Sequence, residues 1–214
     1  MLDVINGSHY HRGIEKPCKI SDLGCIRSYL THNFHCKPAY GPAPDPYFLG
    51  SVTVPIPHAN ITYKPLDLKI VGLNNFKVGN FYVNHDSDIL VLELVILEMA
   101  FSSPGIMLIH NRKGLEPIIV KDSMWVDYRD ISFTITMPIR HNKIQISDWH
   151  VYSYLSSIPT YGLGPNFMYH PDPVVRKQTE KVHDVVLSVK EAFTIKGPIL
   201  TKVIVQSTIC DFWY

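Results

Sequence analysis

Four cysteines carry the clearest chemistry in this 214-residue chain. Cys18, Cys25 and Cys36 stand in a C-x6-C-x10-C spacing near the start, and Cys210 lies close to the other end. An even number placed at the two extremities points to a disulfide framework rather than to a metal site or a catalytic thiol. Disulfides persist in oxidising compartments, so the expected location is secreted and extracellular.

The remaining candidate groups are weaker. His9 and His11 are close in sequence, as are His32, His35 and Cys36. Zinc would need four converging ligands with an ordered surrounding shell, and a disulfide-bonded Cys36 could not serve. Scattered surface or polar-core histidines are therefore expected, with no metal and no cofactor. Such groups could still make assembly respond to mild acid. Asn60-Ile-Thr and Asn6-Gly-Ser are N-glycosylation sequons, giving Asn60 and Asn6 as candidate glycan sites. No Gly-x-Ser-x-Gly elbow, His-Glu-x-x-His helix or phosphate-cradling glycine loop is present. Gly162-Leu163-Gly164-Pro165 lacks the strand–helix context of a nucleotide loop, and Asp130 and Asp148 stand singly in alternating strands. A non-enzymatic protein is expected.

These residues must be placed by a folded scaffold, and the composition supports one. Hydrophobic residues make up 46% of the chain and charged residues 18%, which suits an ordered globular domain. A net charge of +1 without a block of like charges argues against nucleic-acid binding. The longest apolar run, Ile89 to Phe101, is interrupted by Glu93 and Glu98 and is too short to span a bilayer as a helix. Met1–Gly7 does not read as a signal peptide, so a mature secreted chain is expected.

Alternating apolar residues predict a long antiparallel series of strands. Val52, Val54 and Ile56 lead into Ile61 and Tyr63. Leu66, Leu68 and Ile70 end at a turn over Gly72–Asn75, and Phe76, Val78, Phe81 and Val83 follow. Ile89–Phe101 is the longest candidate, followed by Gly105–His110, Ile118–Val120, Asp130–Ile139 and Lys143–Trp149, with turn signals at Pro104-Gly105 and Asn111–Gly114. Two helices are predicted. Asp22–Thr31 has Ser21 as its cap, and a second begins at Asp172-Pro173. Val175, Val182, Val186, Val189 and Phe193 would share one face of that second helix. Gly197-Pro198 is expected to end it, with Leu200–Ile209 returning to strand. The class is α+β.

In this order the elements resemble the takeout and juvenile-hormone-binding superfamily of insect secreted proteins. The likeness is carried by the Cys18/Cys25 pair before a helix, by Asp45-Pro46, by Leu66-Asp67-Leu68-Lys69-Ile70-Val71-Gly72-Leu73-Asn74-Asn75-Phe76-Lys77-Val78, and by the helix from Asp172. Within it, the chain is similar to the fibrohexamerin type, accessory glycoproteins of moth silk. That narrower likeness rests on the C-x6-C-x10-C spacing, on Asn60-Ile61-Thr62-Tyr63 and on Val205-x4-Cys210-Asp211-Phe212. The Pro-rich step Gly41-Pro42-Ala43-Pro44-Asp45-Pro46 departs from the superfamily pattern and shortens the first helix.

The resemblance implies a long helix wrapped by a strongly curved antiparallel sheet around an apolar tunnel. Residues 18–214 would form this single domain, after an N-terminal extension over 1–17. Candidate lining residues are Leu68, Ile70, Phe76, Phe81, Leu92, Leu94, Phe133, Ile135, Val182, Val186 and Phe193. The same side chains could instead fill a solid core. The expected pairing is Cys18–Cys25 with Cys36–Cys210, although four cysteines allow three connectivities. A free or intermolecular Cys36 or Cys210 is the alternative. The implied partners are apolar secreted chains of the silk-fibroin type, or a small hydrophobic ligand such as a juvenile-hormone-like terpenoid, pigment or lipid.

Overall fold

A computed structural model describes residues 13–212, so Asn6, His9 and His11 lie outside the described residues. In chain order the elements are β1 (Ile14–Glu15), α1 (Leu23–Phe34), β2 (Lys37–Pro38), β3 (Tyr47–Leu49), β4 (Val54–Ile56), β5 (Ile61–Leu66), β6 (Leu68–Val71) and β7 (Phe76–Asn84). Two very long strands follow, β8 (Ile89–Arg112) and β9 (Leu115–Arg140), then β10 (Lys143–Ile144), β11 (His150–Leu155) and β12 (Thr160–Leu163). The chain closes with α2 (Pro165–Met168), α3 (Pro173–Val182), α4 (Val185–Thr208) and β13 (Cys210–Asp211). Eleven strands form one sheet and β2 pairs with β13 in a second. Every pairing is antiparallel.

The β8–β9 hairpin is the frame. Along its length β8 pairs with β7, β6 and β5, while β9 carries β10, β11 and β12. The expected separate strands at Gly105–His110, Ile118–Val120 and Asp130–Ile139 are parts of these two. Pro104-Gly105 does not end β8, because it falls in a register shift between Ser103 and Ile106, where a missing N–H breaks no regular ladder. The Ser103 hydroxyl lies 2.7 Å from Leu66 O and 2.8 Å from Gly105 O, which satisfies carbonyls at the irregularity. Over the expected Lys143–Trp149 strand only Lys143–Ile144 pairs, and residues 146–148 form a 3-10 turn.

Alternation changes phase at one point shared by both long strands, and β8 shifts again at Pro104-Gly105. Ile96 and Met99 are both buried, with Leu97 and Glu98 exposed between them; opposite, Arg129 and Asp130 are exposed between buried Tyr128 and Ile131. Asp130 takes the left-handed conformation there. The β11–β12 connection covers the irregularity: Ser156 donates to Asp130 O through its amide (3.2 Å) and hydroxyl (2.8 Å), and Ser157 donates to Arg129 O at 2.9 Å.

Two apolar clusters flank this point. The larger joins Leu90, Leu92, Leu94 and Ile96 of β8, Ile131, Phe133, Ile135 and Met137 of β9, Ile26 and Leu30 of α1, and Leu200, Ile204 and Val205 of α4. The smaller joins Val54 and Ile56 of β4, Ile61 and Tyr63 of β5, Ile106 and Leu108 of β8, Phe167 of α2, Val175 of α3 and Ala192 of α4.

The helices differ from expectation at their ends. Asp22, not Ser21, caps α1, its carboxylate accepting from Cys25 N at 2.9 Å, and the helix runs on to Phe34 before His35 turns left-handed. Asp172 caps α3 as expected, accepting from Val174 N (2.8 Å) and Val175 N (3.4 Å). A break at His183-Asp184 then separates α3 from α4, and Asp184 caps the new helix. Gly197-Pro198 does not terminate α4, so Leu200–Ile209 is not a strand: α4 continues to Thr208. Proline inside a helix costs about 3 kcal/mol. The buried residues Leu200, Thr201, Ile204, Val205 and Thr208 fall on one helical face and offset that cost. A Cβ at Gly197 would stand 3.3 Å from Val151 Cγ1, so glycine lets α4 lie close on β11.

Disulfides join Cys18 to Cys25 and Cys36 to Cys210, with Cα separations of 5.7 and 5.8 Å. The second bridge fastens the end of α1 to the end of α4. Arg27 adds to this junction by donating to Thr208 O at 2.7 Å. Ile14 and Glu15, in the segment expected as an extension, pair with Asn84 and Val83 of the sheet. Among the described residues no helix is long and apolar enough to cross a membrane.

Candidate functional site

The smaller apolar cluster encloses a cavity of about 90 Å³ between the sheet and the first half of α4. Its floor comes from the paired strands: Tyr63 of β5 faces Leu108 of β8, and Val126 of β9 faces Tyr161 of β12. Its roof is the α4 face Val185, Ser188, Val189, Ala192 and Lys196, a spacing of three and four residues that keeps all five on one side of the helix. Half-buried Tyr161, Leu163, Val182, Val185 and Ser188 mark the mouth. There the Tyr161 hydroxyl meets His183 Nδ1.

The lining is almost wholly apolar except for one cation. Lys196 is 2% exposed, and no carboxylate and no hydrogen-bond acceptor meets its Nζ among the described residues. Nζ instead sits 4.8 Å from the Tyr63 ring centroid and 5.0 Å from that of Phe101, an electrostatic attraction to the ring faces. Burial pulls the Lys196 amine down to about 7. The Tyr63 hydroxyl is also buried without a partner among the described residues, and burial raises the pKa of Tyr63 and of Tyr128 beside it. Beyond Tyr63, His110 Nδ1 lies 3.1 Å from Gln178 Oε1 while its Nε2 has no partner among the described residues, and burial lowers its pKa.

The eleven candidate lining residues divide accordingly. Val182 lines the cavity. Leu68, Ile70, Phe81, Leu92, Leu94, Phe133, Ile135 and Phe193 are buried in the larger cluster, where they pack against one another as a filled core. Phe76 is half-buried at the edge of that cluster and borders a surface groove with Tyr40 and Pro42. Val186 is corrected: it is 57% exposed, because the break at His183-Asp184 shifts the helical phase between Val182 and Val189. Lys196 and Tyr63 were not anticipated as site residues. The signal for Lys196 was its position three and seven residues after Phe193 and Val189, which puts a lone cation on a helix face otherwise apolar.

Asn60 is exposed, in a left-handed turn before β5, and its Nδ2 donates to Asn111 O at 2.8 Å. Cys36, considered with His32 and His35 as a ligand, is bonded to Cys210.

A family match described as Fibroin P25 spans residues 14–214. The chain belongs to the Fibroin P25 family. It is similar to the fibrohexamerin of Galleria mellonella, with 22% identity over 205 residues that cover 93% of this chain and 89% of that protein. Among solved structures it is similar to Epiphyas postvittana Takeout 1, with a TM-score of 0.48 and 11% identity over 90% of this chain and 93% of that one.

Proposed function

We propose that this Fibroin P25 family member is a secreted, non-catalytic glycoprotein that accompanies apolar secreted chains of the silk type and shields their apolar segments. The observation that carries the reading is the family match across 14–214, with a fibrohexamerin covering most of both chains. The surface supports it. Tyr152 and Tyr154 on β11 are 63% and 68% exposed, and β11 pairs only with β9, so its outer edge is open among the described residues. An edge strand with exposed aromatics can add an extended partner chain through main-chain hydrogen bonds and side-chain contact. Two disulfides and the exposed Asn60 sequon suit secretion and glycosylation.

The test is native purification from the natural source, followed by size separation and mass spectrometry. The expected result is a larger assembly containing large apolar polypeptides, which the paired Tyr152→Ser, Tyr154→Ser variant weakens. A chain that travels alone would overturn the reading. A second reading, carriage of a hydrophobic ligand, is favoured by the cavity alone. Its volume of about 90 Å³ lies well below the roughly 300–1,000 Å³ of sites for drug-sized molecules, so a small ligand is implied rather than a whole terpenoid.

A further inference from the structure

The accessory role makes no use of the buried amine in the cavity. Burying a cation without a counter-ion is costly, and a lysine with no structural partner is a poor way to fill a core. Lys196 reaches a space lined by Ile56, Leu108, Val126 and Ala192, where its Nζ lies over the Tyr63 and Phe101 rings and the Tyr63 hydroxyl has no partner among the described residues. A desolvated lysine in an apolar pocket is a nucleophile towards carbonyl compounds.

We propose that the cavity is a site for small apolar aldehydes, which Lys196 holds as a Schiff base. The neutral Nζ attacks the carbonyl carbon; a C–N bond forms as the C=O π bond opens, and the oxygen takes up the proton that nitrogen releases. The carbinolamine then expels that oxygen with a second nitrogen-derived proton as water, leaving the imine. Aldehyde plus amine gives imine plus one water, with nothing oxidised or reduced. The Tyr63 hydroxyl, on the strand beneath Nζ and without a partner among the described residues, supplies a hydrogen-bond donor for the carbonyl oxygen. A carboxylate ligand fits less well, because it would bring a second buried charge into a site with few donors.

Size narrows the class. One water needs roughly 10–15 Å³ of such space, so about 90 Å³ admits a molecule of about six to nine heavy atoms. Hexanal is the natural probe. The mouth at Tyr161, Leu163 and Val182 admits a chain end-on, with the aldehyde leading towards Lys196.

The intact protein is incubated with limiting hexanal at neutral pH, reduced with cyanoborohydride, and mapped by peptide mass spectrometry. The expected product is a single hexyl group on Lys196, formed at least ten-fold faster than on exposed Lys190 of the same helix. Labelling of Lys196 levels off above about pH 8. Lys196→Met removes the fast site and leaves the slow surface labelling. Labelling of Lys196 no faster than Lys190, or a fast adduct that survives in Lys196→Met, overturns the proposal. The site is independent of the accessory reading: a chain that travels alone would still label, and one in a silk-type assembly need not.

Discussion

Single residues here carry costs that their neighbours offset unequally. Asp45 is well matched: its carboxylate accepts from Gly72 N at 3.0 Å through both oxygens and from Asn74 N at 3.3 Å, pinning the Pro-rich step to the turn after β6. Gly72 itself is left-handed at φ +103, and a Cβ there would run into Glu98 O, so only glycine brings that turn against β8. Asp45→Ala leaves both amides without their acceptor and is expected to cost about 1–3 kcal/mol, read as a lower urea midpoint at unchanged slope. Lys196 is the opposite case. Among the described residues no carboxylate offsets its burial, only two aromatic faces, so the folded chain gives up stability at neutral pH to keep an amine in the cavity. Such a residue is where function is more readily sought than packing.

At the scale of elements, the long helix and the long hairpin hold the two clusters in register. Gly197 sits where α4 crosses β11 and β9, with Val151 Cγ1 at 3.3 Å and Phe133 Cδ1 at 3.8 Å from where a Cβ would be. Gly197→Val is therefore expected to lift α4 from the sheet and to cost about 1–3 kcal/mol by overpacking, outweighing its gain in helix propensity; thermal unfolding checks the sign. The same crossing explains what the sequence did and did not disclose. Alternation in Ile131–Met137 is strict because one face is wholly buried, and that strand was legible, as was β8 from its long apolar run. The Asp172 cap was legible too, since local chemistry sets it, whereas the disulfide pairing that formed was one of three the cysteine spacing left open. Gly197-Pro198 misled because local propensity favours a stop, whereas burial of Leu200, Ile204 and Val205 favours continuation. The cavity was hidden for a related reason: its lining comes from β4, β5, β8, β9, β12, α3 and α4, so no single segment carries its pattern.

For the whole molecule, the bridge between Cys36 and Cys210 spans 174 residues of sequence and that between Cys18 and Cys25 only 7. On the loop-closure model, whose mechanism is disputed, the long bridge removes about 5 kcal/mol of unfolded-state entropy and the short one about 2–3. Cys36→Ala with Cys210→Ala is expected to lower the denaturant midpoint more than Cys18→Ala with Cys25→Ala. Equal losses would place the stabilisation in local strain or packing instead.

The stability of the molecule should also trace an asymmetric curve against pH. Between about pH 7 and 10.5 the unfolded chain keeps the Lys196 proton that the folded chain has released, so stability rises with pH across that window. Above about pH 10 the unfolded tyrosines ionise, while Tyr29, raised to about 12, and the still more strongly raised Tyr63 and Tyr128 hold their protons; stability then falls. His110 acts at the acid end. It faces Gln178, His170 and Asp172, and its lowered ionisation means that stability is lost as pH drops below about 6.5. A maximum near pH 9–10 is therefore expected in the urea midpoint, with no free cysteine among the described residues to start disulfide exchange there. Lys196→Met should raise stability at pH 7 by a few kcal/mol and flatten the rise from pH 7 to 10, while leaving the fall below pH 6.5 in place. A rise that persists unchanged in that variant would assign the titration to another group and return Lys196 to the ordinary range of an exposed lysine.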